Sequence, residues 1–329
     1  MKQRLRSSLL GALALTAVMA VVTGCAGNTA GPGDEPSSGT VTIKLATSIT
    51  GSSFLGVTAG LKEGIFAKHG IDLEVTKVKD TSTGVAALVS GQVDVAAMLT
   101  EGAIGAVAAG SDMKIIANLL TEDQHILYAG KGITKIEDFA GKKMAVVGPG
   151  SGTEILAKYL FEKAGIEDKV TYVPSGAASV QVASLIAGQV DGAGLVQPYA
   201  DQAAAQGMNK ILDYRDIIPG LTPQVFGASG AAIKDKPEAL KKFVAAYAES
   251  TQWIVAHPDD AISILKDDAK VSGAIARSSF EFAKPDYSLD GKVSADGLQT
   301  WIRLTKEYGK VTKSVTVDDI YDPSFLPGS

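Results

Sequence analysis

One stretch of this chain occurs twice. LVSGQVDVAAML at 88–99 and LIAGQVDGAGLV at 185–196 align without a gap, 97 residues apart. The sequence ahead of each copy repeats in pattern as well. AKHGIDLEVTKV at 67–78 and EKAGIEDKVTYV at 162–173 each close an amphipathic segment at a glycine and then enter an extended run. Further upstream lie two apolar runs, TIKLAT at 42–47 and KKMAVVG at 142–148. Each copy therefore reads strand, helix, strand, helix, strand. That alternation predicts a parallel sheet covered by helices, built once in each of two similar lobes.

Local punctuation agrees. The segment from Lys62 to Lys68 closes at His69-Gly70, where glycine can take the left-handed conformation that ends a helix. Thr134 followed by Glu137 has the spacing of a capping box opening a short helix over Ile136 and Phe139. Asp235-Lys236-Pro237-Glu238 places a capping residue ahead of a proline suited to a first helical turn. The helix that follows carries Leu240, Phe243, Val244, Tyr247 and Ile254 on one stripe and stops near His257-Pro258. A second starts at Pro258 with Ala261, Ile262 and Leu265 inward. A last runs from about Ser294 to Tyr308, with Leu298, Ile302 and Thr305 in register and Gly309 as its stop. These C-terminal helices have no counterpart in the repeat and are expected to pack on one lobe only.

The chain opens with Lys2, Arg4 and Arg6, then an apolar run from Leu9 to Val22, then Thr23-Gly24-Cys25. A basic start, a short apolar stretch and small residues before a cut make a secretory leader. The run is 14 residues long, too short to cross a hydrocarbon core of ~30 Å as a helix. Cys25 is the only cysteine in the sequence. Following Val-Thr-Gly, it resembles the lipobox of bacterial lipoproteins, in which the thiol takes a diacylglycerol and the preceding peptide is removed. Residues 1–24 are read as that signal peptide, and 25–40 as a lipidated N-terminus with a Gly/Pro/Ser-rich flexible tether. Removing the leader takes the formal net charge from −5 to −8. Such a balance excludes nucleic acid as a partner, because phosphates demand basic surface. With one thiol, no internal disulfide can form, and the core alone must hold the fold.

EGIFAKHGIDLEV at 63–75, ALVSGQVDVAAM at 87–98 and AGQVDGAGLVQPYADQAAAQG at 187–207 resemble the substrate-binding proteins of ABC importers for sulfonates, taurine, nitrate and thiamine precursors. The Pro237–Pro258 segment, with its Pro-Glu-Ala-Leu start and Ala-His-Pro-Asp-Asp end, is similar to that family's C-terminal part. The resemblance extends over nearly all of Val41 to Leu326. It implies an α/β fold of the two-lobed periplasmic binding protein type II kind, each lobe a parallel-rich sheet flanked by helices, with two crossovers and a ligand in the cleft. By that likeness lobe 1 is 41–122 plus 226–329, and lobe 2 is 123–225.

Ligands of open α/β sheets sit beyond the carboxyl ends of the strands, against helix N-termini. Thr47-Ser48-Ile49-Thr50-Gly51-Ser52-Ser53-Phe54, after the first strand, is dense in hydroxyls and backbone N–H groups that suit an anionic or strongly polar ligand. Ser48, Ser52 and Ser53 are its candidates, with helix capping as their alternative role. In the second lobe, Gly148-Pro149-Gly150-Ser151-Gly152-Thr153-Glu154 lies between a strand and a helix. Ser151 with Glu154 fits a capping box, which leaves Thr153 and the amides of Gly150 and Gly152 as the better ligand donors. The stretch is neither a Walker loop nor a dinucleotide fingerprint, since no Lys-Ser/Thr follows and Thr153 stands where the third glycine belongs.

Thr100-Glu101-Gly102 follows the third strand, where the family often has a small polar or acidic residue facing the cleft. A carboxylate there could bind an ammonium or amidine-like group; a solvated loop glutamate is the alternative. The equivalent place in lobe 2 is Gln197-Pro198-Tyr199. Family members frequently carry an aromatic-acid-Pro pattern here, and Val196 and Gln197 depart from it, which weakens the case for a stacked aromatic substrate. Gln197 and Tyr199 still offer hydrogen bonds, and Thr83, at the start of the second helix, is a further candidate.

Trp253 and Trp301 read as packing residues. His69, His125 and His257 are scattered without zinc-type spacing, and His125, near the crossover, is assigned no function. The expected function is a monomeric, lipid-anchored extracytoplasmic receptor, not an enzyme and with no cofactor. It would close on a small anionic or zwitterionic solute and deliver it to a permease and its ATPase. An organosulfonate is the first choice, with nitrate or a thiamine-precursor pyrimidine behind it. Two alternatives share the architecture: a cytosolic thiamine-precursor enzyme, whose chemistry resembles a pyridoxal-phosphate process needing lysine and histidine in the cleft, and the ligand-sensing domain of a regulator. The export signal and acidic balance count against both.

Overall fold

The computed structural model describes residues 39–309 and 311–328. The leader, Cys25 and all but the end of the 26–40 segment lie outside the described residues. The chain enters as β1 (Val41–Thr47), α1 (Leu55–Lys62), α2 (Ile65–Lys68), β2 (Ile71–Lys77), α3 (Thr81–Val89), β3 (Val95–Leu99), α4 (Thr100–Ala108) and β4 (Met113–Leu120). It continues as β5 (Ile126–Ala129), β6 (Lys143–Val146), α5 (Gly152–Lys163), β7 (Thr171–Pro174), α6 (Ala178–Ile186), β8 (Gly192–Leu195), α7 (Tyr199–Ala205), β9 (Asn209–Asp213) and α8 (Tyr214–Ile217). It returns through β10 (Gln224–Ser229) and ends in α9 (Gly230–Asp235), α10 (Pro237–Ala256), α11 (Pro258–Ala269), α12 (Gly273–Ala283), α13 (Ala295–Tyr308) and α14 (Val317–Ile320).

These strands form two five-stranded sheets, ordered β2-β1-β3-β10-β4 and β7-β6-β8-β5-β9. Each sheet with its helices is one lobe, and the two orders match position by position. β1 pairs in parallel with β2 and β3, as β6 does with β7 and β8. The fourth position departs from the all-parallel sheet that the alternation predicts. β10 lies antiparallel between β3 and β4, and β5 antiparallel between β8 and β9. These are the strands on which the chain arrives after each crossing. In the first sheet this strand returns from a later part of the chain, whereas in the second it opens the same continuous run that supplies β6 to β9. β3, β4, β8 and β10 are apolar almost without alternation because both of their faces are covered.

The repeated Gly-Gln-Val-Asp proves to be a structural clamp at the start of the third strand in each lobe. Gly91 and Gly188 have φ of +73° and +69°, the left-handed turn that releases the chain from α3 and α6. Asp94 and Asp191 then each accept a hydrogen bond from the backbone N–H of the adjacent strand, at Lys44 (2.9 Å) and Lys143 (2.8 Å). In the first lobe Lys236 Nζ joins at 2.9 Å from Asp94.

Where the copies differ, packing accounts for it. Val95, fully buried, corresponds to Gly192. A Cβ on Gly192 would lie 2.3 Å from Phe139 Cε1 and 2.6 Å from Cζ, and that ring is already packed on Phe161 at 5.1 Å between centroids. Gly192→Ala is therefore expected to lower stability by about 1–3 kcal/mol through overpacking. Denaturant unfolding checks it, and an unchanged midpoint would show that Phe139 yields freely.

Three local expectations need correction. The 62–68 segment is not one helix: α1 stops at Lys62, Gly64 takes φ +67°, and α2 starts at Ile65. The cap near Thr134 is closed by Asp138, whose carboxylate accepts from the N–H groups of Thr134 and Lys135, instead of by Glu137. Nor do the C-terminal helices keep to one lobe. α10 and α11 bury their apolar stripes on the first lobe, in a core holding Phe66, Phe226, Phe243 and Tyr247. α13 instead puts Leu298, Trp301, Ile302 and Leu304 into a core with Ala103 and Ile104 of α4 and Ile155 and Leu156 of α5. α13 also touches the second lobe through Tyr308, which donates to Glu162, and through Arg303 over the Tyr159 ring at 5.7 Å. α12 reaches it through Ser278, which donates to Asp201.

Candidate functional site

Where the two lobes meet, beyond the carboxyl ends of β3 and β6, they enclose a cavity of about 210 Å³. The first lobe contributes Ser53, Leu99, Glu101 and Leu120; the second contributes Val147, Ser151, Gly152, Thr153, Leu156 and Val196. The first crossover supplies Asp123, Gln124 and His125, the second Pro223 and Gln224, and α13 supplies Trp301. The walls are largely apolar, and among the described residues no lysine or arginine lines them.

Of the residues singled out from sequence, Ser53, Glu101, Ser151, Gly152 and Thr153 come together here. Gly150 lines a neighbouring hollow that shares Glu101, and its N–H donates to Glu154 at 2.5 Å. Thr100 is buried and donates to the carbonyl of Thr222 at 2.7 Å, tying α4 to the second crossover. Thr83 serves its own helix start, with N–H and hydroxyl both 2.8 Å from Asp80 Oδ1. Gln197 donates to Asp201 at 2.8 Å, and Tyr199 packs on the second lobe's own core. Ser52 offers its carbonyl to the Tyr287 hydroxyl at 3.0 Å. Ser48 is partly buried beside Thr47, whose hydroxyl bonds Ile49, and it does not line the cavity.

The start of α5 is the most highly connected part of the wall. Ser151 accepts from Glu154 N–H at 3.4 Å, as the capping spacing predicts. Thr153 Oγ1 accepts from Val147 N–H at 2.9 Å. Gly152 N–H donates across the cleft to Glu101 Oε1 at 2.9 Å. Burial pushes the Glu101 carboxyl above the usual range, opposed by this hydrogen bond and one from its own backbone.

Asp123 and His125 form the second polar group. Asp123 Oδ1 accepts from the His125 backbone N–H at 2.9 Å and pairs with His125 Nδ1 at 2.8 Å. Burial opposes the charge of Asp123, yet His125 and the more distant Arg215 hold its pKa below the ordinary value. Burial likewise opposes charge on His125, and the carboxylates of Asp123 and Glu101 overcome it and raise its pKa. The cavity thus holds two carboxylates and one imidazole biased toward its cationic form. Two further polar atoms, Trp301 Nε1 and Gln224 Oε1, are buried without a hydrogen-bond partner. Buried polar groups seldom go unpaired, so these are the lining's natural contacts for a solute.

Asp123, Gln124, His125 and Gln224 were missed from sequence or, for His125, set aside. Their one signal was position near the crossovers. Trp301 is both core and wall, being 1% exposed and part of the cavity lining.

Comparison with known proteins agrees with this architecture. The model of the NMT1/THI5 like family matches residues 52–261. The chain belongs to that family. The resemblance read at 63–75, 87–98 and 187–207 lies inside the matched span. This chain is similar to a Brucella abortus protein provisionally named a binding protein, 26% identical over 273 residues, covering 79% of this chain and 83% of that one. Among solved structures, the aliphatic sulphonate binding protein SsuA of Escherichia coli superposes with a TM-score of 0.74 at 18% identity, over 88% of this chain and 94% of that one. The ligand binding component of an ABC-type import system from Staphylococcus aureus gives 0.72 at 18% identity, over 86% and 97%. These structures share the two-lobed fold. No group of His, Cys, Asp and Glu suited to a metal ion occurs among the described residues, and no described helix is long and apolar enough to cross a membrane.

Proposed function

We propose that the protein is the solute receptor of an ABC-type importer. It works outside the cytoplasm on a lipid anchor at Cys25 and holds a small organic solute between its lobes for delivery to a permease and ATPase. The solute carries an amino or amidine-like donor group. The cavity inventory carries this reading: Glu101 and Asp123 present carboxylates, Gln224 an unpaired acceptor and Trp301 an unpaired donor, within apolar walls free of lysine and arginine. Micromolar affinity, roughly −8 kcal/mol, is within reach of a few charge-assisted hydrogen bonds in a cleft between lobes. Family membership and the shared fold support the receptor role. His125 meets one requirement of the enzyme alternative, but no lysine accompanies it in the lining.

A second reading has a specific observation behind it. The helix N-terminus at Gly152 suits an anion, and one neighbour of the same fold is named for sulphonates. An aminosulfonate would satisfy both ends of the site, its amine meeting Glu101.

Mass spectrometry of protein purified gently should find a co-purified molecule with a basic nitrogen. A thermal-shift panel of amidines, aminopyrimidines, amino acids, sulfonates and nitrate should then rank that class first. Glu101→Gln is expected to weaken an amidine about tenfold or more. If no class of small molecule moves the melting temperature of folded protein, the receptor reading fails.

A further inference from the structure

The N-terminus of α5 is where the sequence would place an anionic ligand, yet the protein's own groups take the N–H donors of Gly152 and Glu154 in its first turn. Gly152 N–H donates to Glu101 Oε1 from the opposite lobe at 2.9 Å, Gly150 N–H donates to Glu154, and Glu154 N–H donates to Ser151 Oγ. The approach of Glu101 is built in. A Cβ on Gly152 would lie 2.8 Å from Glu101 Oε1 and 3.3 Å from Trp301 Cη2, so only glycine lets the carboxylate come this close. The same wall carries the Trp301 ring, 1% exposed, whose indole N–H is buried without a hydrogen-bond partner.

We propose that Glu101 is a tethered internal anion, a specificity-determining residue that seats its carboxylate on the α5 N-terminus and makes the cavity reject solutes bearing only negative charge. An incoming anion must either displace Glu101 from Gly152 or sit beside its charge. No lysine or arginine in the lining offsets that repulsion, and the one imidazole is already paired to Asp123. A solute with an amine or amidine meets the opposite situation, since Glu101 becomes its partner. The carboxylate also has room to turn. Its other side faces a second hollow of about 370 Å³, walled by Gly105 and Ala108 of α4, by Pro149 and Gly150, and by Thr305 and Lys313, the one cation among its described lining residues.

This inference rests on the receptor reading, and methanesulfonate is the probe that separates the two. Calorimetric titration of the parent at neutral pH should show no binding or only very weak binding. Glu101→Ala frees the α5 N-terminus and should bind methanesulfonate at least about tenfold more tightly, the worth of one charge-assisted hydrogen bond. Glu101→Gln, which removes the charge but keeps an oxygen for Gly152, should fall between the two. Should the alanine variant fail to fold, the glutamine variant carries the test alone. Equal methanesulfonate affinity in parent and folded variants, whether strong or absent, overturns the proposal. With benzamidine still stabilising the parent, that outcome removes only the role of Glu101 as an anion screen. When neither benzamidine nor methanesulfonate affects parent or variants, both this inference and the receptor reading fall.

Discussion

Trp301→Ala is expected to lower the unfolding free energy by about 3–5 kcal/mol, the usual range for truncating a buried tryptophan. Trp301 is 1% exposed and belongs to the one core that draws residues from both sheets. Its ring fills the corner between α4, α5 and the glycine at 152. Because its indole N–H has no protein partner, the loss should come from packing and the cavity left behind, with no broken hydrogen bond added. Trp301→Phe separates stability from recognition. Phenylalanine retains most of the ring and should cost less than about 2 kcal/mol, while removing the buried, unpaired indole N–H. Denaturant unfolding of both variants measures the first effect and solute titration the second. A loss below about 1 kcal/mol for Trp301→Ala would show that α13 is not the joint between the lobes.

The second large effect is a pH dependence centred on Asp286. This carboxylate is 3% exposed and joins the first crossover and α8 to the C-terminal segment. It accepts from Gln124 Nε2 at 3.1 Å and from Arg215 at 2.9 Å, while its backbone carbonyl accepts from Thr121 N–H at 2.8 Å. Burial pushes its pKa from 3.8 up to about 6, Gln124 and Arg215 oppose the rise, and the charges of Glu122 and Asp213 add to it. The folded protein thus binds this proton more tightly than the unfolded chain. The resulting stability is complete below about pH 3.8 and is lost as pH rises through about 6. At about 1.4 kcal/mol per pKa unit, the contribution is about 3 kcal/mol. Glu101, also raised, acts in the same direction, its contribution complete below its starting value of 4.5. Asp123, lowered, acts oppositely and only as pH falls toward and below 3.8. His125, raised, contributes below 6.5 and loses that contribution as pH climbs through its folded value. Asp286→Asn should flatten the decline in stability between about pH 4 and pH 7 by about 2–3 kcal/mol. An unchanged pH profile in the asparagine variant would remove Asp286 as its source.

Much of each lobe was legible because its signals are local. The glycine turn and aspartate clamp of Gly-Gln-Val-Asp lie within a few residues, so the two copies announced themselves in the primary structure. Ser294, Gly309 and Pro237 likewise act on their own helices. Ser151 was legible both as a cap and as part of a cleft wall, since a strand followed by glycines and a helix start carries both meanings. Strand direction was another matter. β5 and β10 are the strands on which the chain enters each sheet after a crossing, and nothing in Ile126–Ala129 or Gln224–Ser229 alone states the partner or its direction.

The site divides along the same line. Sequence alone determined two repeated α/β units, the glycine-rich helix start that forms one wall of the cleft and the family to which the chain belongs. These are set by backbone conformation, capping and apolar periodicity, which act over a few residues. Only the tertiary structure decided what those walls enclose. Glu101 meets Gly152 across 51 positions, Asp123 and His125 face inward from a crossover, and Trp301 arrives on a helix with no repeat partner. Their electrostatic character arises from burial and from one another. A glutamate read from sequence as a candidate cleft carboxylate comes to lie, once the lobes meet, against the helix start where an anion was expected.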